Sequence, residues 1–211
     1  MKEFQFEANF NFNINKNKAD LYFKNRGEKS EKVIDFTNTA QCNELMKFEI
    51  INSMNFKIPE IGENLFMITT KPISLMDVVN YIEKKIGQIS DITIFFFTVN
   101  KLAAEYTVSL ASRANIQVII SDIVNSSREK ERLITKIFDK ANVEIVFCHN
   151  HAKIASFKIG DNFFTLIGSM NAGTNAKIEN LNIINSKEMY SFVLKTFDIM
   201  KNKFSIKKRY L

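Results

Sequence analysis

The sequence predicts an α/β fold: a mixed, mostly parallel sheet with helices on both faces, preceded by a β-rich N-terminal extension. Three observations carry this expectation. Short apolar runs at residues 91–99, 116–120 and 143–147 alternate with helical patterns, and buried strands separated by helices imply parallel pairing under helical layers. Residues 152–167 then read as a β-hairpin about Gly160-Asp161-Asn162, which adds antiparallel strands. The first 60 residues follow a different rule. Phe4, Phe6, Phe10, Phe12 and Ile14 occupy even positions among mostly polar neighbours, the period of a strand.

Taken in order, residues 4–23 suggest a hairpin with a turn at residues 15–18, and residues 24–32 a polar loop. Residues 39–51 suit a short helix, and Pro59 and Gly62 mark a boundary between the extension (1–60) and the main domain (61–211). Residues 65–69 read as a strand. Ser74 is a natural N-cap for a helix over 75–86, with Asp77 in its first turn and Gly87 as its stop. Further helices are expected over 103–114 and 126–141, another strand over 181–184, and a closing helix over 186–203 capped by Ser186.

At 211 residues and 45% apolar composition the chain can fill one core. No apolar run approaches the roughly 20 residues that span a bilayer, so stable membrane insertion is not expected. The N-terminal residues lack an apolar segment of the signal-peptide kind, which points to the cytoplasm. Cys42 and Cys148 do not make a disulfide framework. A net charge of +6 suits polyanionic partners, although lysine-rich surfaces are more often simply solvated.

Both histidines of the chain lie in Cys148-His149-Asn150-His151-Ala152-Lys153. On a strand, His149, His151 and Lys153 would project to one face. That face is either a wet strand end or an anion site. One hairpin later comes Ile167-Gly168-Ser169-Met170-Asn171. Antiparallel arms bring their residues together, so the Ser169 hydroxyl and the Asn171 amide would join His151 and Lys153 around one point. A nucleophile, a cation and neutral polar groups suit a phosphodiester, whose oxygens gain charge in the transition state. A rival zinc reading pools Cys148, His149, His151 and Cys42, but the spacing is not that of a zinc site.

The His-x-Lys and Gly-Ser-x-Asn pair resembles the active-site motif of the phospholipase D superfamily, and among its members the short, single-motif bacterial endonuclease-like phosphodiesterases. The resemblance extends from Leu65 to the end of the chain, and the first 60 residues have no counterpart in it. It implies that His151 is the nucleophile of a phosphohistidine intermediate. Lys153 and Asn171 would bind phosphoryl oxygens, with Ser169 in support. Glu179 would orient a catalytic histidine through its other ring nitrogen. His149 matches no family position and is either a substrate contact or scaffold. The implied chemistry calls for no metal or cofactor. One departure is plain: the family pattern places Asp five residues after the lysine, where this chain has Lys158, and Asp161 does not match that position.

The implied reaction needs a second histidine to protonate the leaving oxygen. The chain has no second His-x-Lys, and His149 lies too close to His151 to approach from the far side, so a homodimer with one composite site is expected. The leading reading is a metal-independent phosphodiesterase, a nuclease acting on DNA or RNA. The alternatives are a catalytically weak nucleic-acid-binding or assembly protein, prompted by Lys158, and a phospholipid-directed enzyme of the same superfamily.

Overall fold

The computed structural model describes residues 39–55, 57–123, 128–139, 141, 143–173 and 178–204. The hairpin expected at residues 4–23 and the polar loop at residues 24–32 lie outside them, as does the basic tail after residue 204. The described residues form five α-helices, one short 3-10 helix (Leu110–Ser112) and one seven-stranded sheet. In chain order these are α1 (Thr39–Asn52), β1 (Asn64–Thr69), α2 (Leu75–Ile86), β2 (Asp91–Phe96), α3 (Lys101–Ser109), β3 (Asn115–Ser121) and α4 (Arg128–Asp139). There follow β4 (Glu144–Cys148), β5 (Ile154–Ile159), β6 (Asn162–Gly168), β7 (Glu179–Asn185) and α5 (Lys187–Lys203).

The strand order is β1-β7-β6-β5-β2-β3-β4. The sheet is mixed, as expected, but parallel pairing is confined to β2-β3 and β3-β4. The other four neighbouring pairs are antiparallel. The excess of antiparallel pairs over the expected pattern has a physical origin in the hairpin. Its first arm, β5, docks antiparallel on β2, with Phe95 opposite Ile154. Its second arm, β6, then receives β7, and β7 receives β1.

Alternation along the strands divides the interior into two clusters. On one face Ile92, Ile94 and Phe96 of β2, Val118 and Ile120 of β3, and Phe157, Phe164, Leu181 and Ile183 pack against α2, α3 and α4. Helix α1 joins this core through Ile51, which is fully buried. On the other face Phe95, Ile119, Val146 and Cys148 meet Val193 and Phe197 of α5. The central strands are therefore covered on both sides, which is why they read as continuous apolar runs.

Local chemistry fixes the element ends. Ser74 and Asp77 form a capping box at the start of α2: the Ser74 hydroxyl accepts from Asp77 N at 3.2 Å, and Asp77 Oδ2 accepts from Ser74 N at 2.7 Å. Ser186 caps α5 by accepting from Met189 N at 3.2 Å. Gly160 turns the hairpin at φ 56°, a conformation open to glycine without steric cost. Asn185, 1% exposed, ties the far end of the sheet together. Its side chain donates to Pro59 O at 3.1 Å and to Asn162 Oδ1 at 2.9 Å, and accepts from Phe163 N at 3.0 Å.

Candidate active site

Strand directions bring several ends to one edge of the sheet. The carboxyl ends of β2, β3 and β4 lie there with the start of β5, the end of β6 and the start of β7. The crevice beyond the carboxyl ends of parallel strands is the usual binding position in open α/β sheets. The two sequence motifs meet at this edge.

Residues 149–153 form a loop between β4 and β5, not the strand expected for His149, His151 and Lys153. Asn150 is the cause. Its Oδ1 accepts from Ala152 N at 2.8 Å, and its Nδ2 donates to Phe96 O at 3.2 Å and Ala152 O at 3.5 Å. A side chain that binds its own backbone two residues on replaces ladder bonds with a turn. It also anchors the loop to the end of β2. One face is therefore not shared by the three residues. His149 is 97% exposed in its side chain and turns to Asp122, with Nδ1 3.4 Å from Oδ1.

His151 and Lys153 do come together. Lys153 Nζ donates to the His151 carbonyl at 3.0 Å and stands 3.5 Å from His151 Nδ1. Phe97, just past β2, packs against both. Its ring centroid is 4.1 Å from that of His151 and 4.5 Å from Lys153 Nζ. Burial holds the Lys153 ammonium below the ordinary lysine range, and the nearby Glu179 carboxylate opposes that shift.

The second motif approaches through the backbone. Gly168 N donates to the Lys153 carbonyl at 3.4 Å. A Cβ built on Gly168 would stand 2.1 Å from the Asn180 carbonyl oxygen, so only glycine allows β6 and β7 to close here. That closeness sets up Ser169, whose N–H donates to Asn180 O at 3.0 Å. The Ser169 hydroxyl accepts from Asn180 N at 2.9 Å and donates to the carboxylate of Glu179. Glu179 is 6% exposed. A buried carboxylate is costly unless it is paired and hydrogen-bonded, and Ser169 with the charge of Lys153 supplies both. Asn171 follows in the loop after β6. Its carbonyl accepts from Leu75 N, the first residue of α2, at 3.1 Å. Its side-chain Oδ1 is buried and has no hydrogen-bond partner among the described residues.

Lys158, which stands where the resemblance expects Asp, is not beside this cluster. It lies four residues along β5 from Ile154, a strand rise of about 13 Å. There it is opposite Asp91 at the start of β2 and has its Nζ 5.8 Å from the Phe163 ring. Burial raises the Asp91 pKa, but Asn115, Ser90 and the charge of Lys158 outweigh it and leave the group lowered.

The groups of the rival zinc reading are separated. Cys148 is buried against α5, with burial pushing its thiol up, whereas His149 is in solvent. The Cys42 side chain lies outside the described residues. Among the described residues, no three His, Cys, Asp or Glu side chains gather as a metal-binding group. No described helix is long and apolar enough to cross a membrane.

Phe97 and Asn150 were not anticipated. Phe97 belongs to an apolar run and reads as core, and Asn150 reads as one more polar residue between two histidines. The Asx-turn propensity of asparagine was the one available signal.

No protein-family model and no curated protein sequence matches the chain. Solved structures do. Nuc from Salmonella typhimurium, a phospholipase D family member, aligns over 66% of this chain and 94% of its own, at 15% identity and a TM-score of 0.50. NucT from Helicobacter pylori aligns over 66% and 97%, at 18% identity and a TM-score of 0.50. Polyphosphate kinase from Porphyromonas gingivalis aligns over 71% of this chain but 27% of its own, at 15% identity and a TM-score of 0.52.

Proposed function

We propose that this chain, whose fold is phospholipase D-like, is a phosphodiesterase that cleaves nucleic acid through a phosphohistidine at His151. The observation that carries the reading is Glu179. One buried carboxylate receives the Ser169 hydroxyl and faces the Lys153 charge, and so joins the two halves of a motif separated by a hairpin.

In the proposed reaction an imidazole nitrogen of His151 attacks phosphorus. The bond from phosphorus to the leaving oxygen breaks, and that oxygen takes a proton from a second imidazolium. Water then attacks phosphorus, gives its proton to the second imidazole, and releases His151 as the nitrogen–phosphorus bond breaks. Lys153 neutralises the charge that builds on the non-bridging oxygens. Asn171 donates from its side-chain Nδ2 to one of those oxygens. Ser169 acts in support, because its proton is engaged by Glu179. Holding the His151 tautomer is the further role assigned to Glu179.

The second imidazolium is His151 of a second copy of the chain. His149 does not serve, being held outward by Asp122. The positive charge at phosphorus comes from lysine, so the mechanism requires no metal. Nucleic acid is favoured as substrate by the net charge of +6. Lys158 lies opposite Asp91, away from the cluster, which supports a site whose phosphate contacts do not include it.

The test compares wild type with His151→Asn on labelled single- and double-stranded DNA, RNA and a generic phosphodiester, all in EDTA. Cleavage of nucleic acid by wild type alone is the expected result. Salt-sensitive binding without cleavage by either protein would establish a binding module instead. Cleavage restricted to phospholipid headgroups in a parallel assay would move the activity to lipid.

A further inference from the structure

We infer that Phe97 is a positioning residue for the reaction: its ring fixes the imidazole of His151 and the ammonium of Lys153 relative to each other. The inference rests on the phosphodiesterase reading for its catalytic consequence, but the contact itself is independent of it.

The two groups come from a loop, and a loop alone gives poor angular control. Lys153 is tied to His151 by its bond to the His151 carbonyl at 3.0 Å, which leaves the imidazole free to rotate about its own χ angles. The ring of Phe97 removes that freedom. It meets the imidazole at a centroid separation of 4.1 Å and an interplanar angle of 50°, a tilted aromatic contact. It also stands 4.5 Å from Lys153 Nζ, within cation–π range. Phe97 is anchored through the residue before it. Phe96 is 1% exposed in the core, and its carbonyl accepts from Asn150 of the same loop. The end of β2 thus supplies a platform beside the loop that carries His151 and Lys153. A flat aromatic face suits this task. Leucine would fill the volume without an attractive face for an ammonium and without planar contact to an imidazole.

Displacement of a reacting group by about 1 Å can cost on the order of a hundredfold in rate. Phe97→Leu is therefore expected to lower kcat by about 10- to 100-fold with KM changed by about twofold or less, and Phe97→Tyr to recover most of the rate. The structural readout uses the fact that the chain has two histidines. In proton NMR of the full chain, His149→Gln identifies which imidazole signals belong to His151. Those signals should carry a ring-current shift that disappears in Phe97→Leu, persists in Phe97→Tyr and leaves His149 unmoved. Circular dichroism confirms that each variant is folded.

Unchanged His151 signals together with wild-type kcat in folded Phe97→Leu would overturn the inference. A wild-type protein that cleaves no phosphodiester overturns the hydrolase reading and the catalytic consequence with it, while the NMR comparison still decides whether the ring holds His151. Loss of kcat with no change at His151 would assign Phe97 to another role and reject positioning.

Discussion

Lys153 sits between two opposing influences, and their balance sets how the site responds to pH. Burial favours the neutral amine, and Glu179 favours the ammonium; burial wins, so the group is lowered from its ordinary value. A lowered lysine binds fewer protons in the folded chain than in the unfolded one. Its contribution to stability is therefore unfavourable below the folded pKa and is relieved as pH rises through it. Activity moves the other way, because the proposed reaction needs the ammonium. The proposed reaction also needs an imidazolium, which loses its proton before a lysine does, so Lys153 is read directly: its ammonium, followed by NMR, is expected to titrate below the ordinary lysine value of about 10.4. Glu179→Gln removes the group that opposes the shift, and should move that titration lower still. A titration that moves up in Glu179→Gln would contradict the pairing.

Among the elements, the seam between β6 and β7 is the most demanding. Gly168 lies against the Asn180 backbone with no room for a side chain, and backbone cannot swing aside as a side-chain tip can. Gly168→Ala is expected to cost roughly 1–3 kcal/mol, as overpacking does, with a fall in kcat as Ser169 leaves Glu179. Urea denaturation and steady-state kinetics on the same preparation check both. The sequence made the elements themselves legible. The capping box at Ser74, the hairpin turn at Gly160 and the cap at Ser186 are local chemistry, and each occurs where local chemistry put it. Sheet pairing was less legible. The contact of β5 with β2 joins Ile154 to Phe95, and nothing in either run specifies that partner. That Lys153 would lie near Gly168 and Ser169 was readable, because hairpin arms must meet; Glu179 entered only through the resemblance, since it opens β7 and lies on neither arm. The loop at 149–153 was not readable, because a side chain–backbone turn at Asn150 overrode an alternation that looked like a strand. Phe97 was hidden for the same reason as the β5–β2 pairing, since its contacts depend on which strand lies beside it.

For the whole molecule, the proposed composite site makes activity a property of two chains. Adding His151→Asn chains to wild type, under conditions where subunits exchange, should suppress activity. A tenfold excess is expected to lower activity per wild-type chain by roughly tenfold, because each mixed pair lacks one of its two histidines. Analytical ultracentrifugation should show a dimer. A strictly monomeric active enzyme, or activity indifferent to the excess, would rule the shared site out.

The placement of β1 has a consequence for how the chain acquires this structure during synthesis. Its sheet neighbour among the described strands is β7, with Leu65 opposite Ile183, and the Asn185 clamp reaches 126 residues back to Pro59. A ribosome releases β1 long before its partner exists. Until β7 emerges, Phe66 and Ile68 on β1 belong to an unpaired ribbon, and long-range closure of this kind is slow and exposed to aggregation. Glu179 opens β7, so the carboxylate that contacts Ser169 arrives only with that strand. Nascent chains would therefore lack this contact until β7 has emerged.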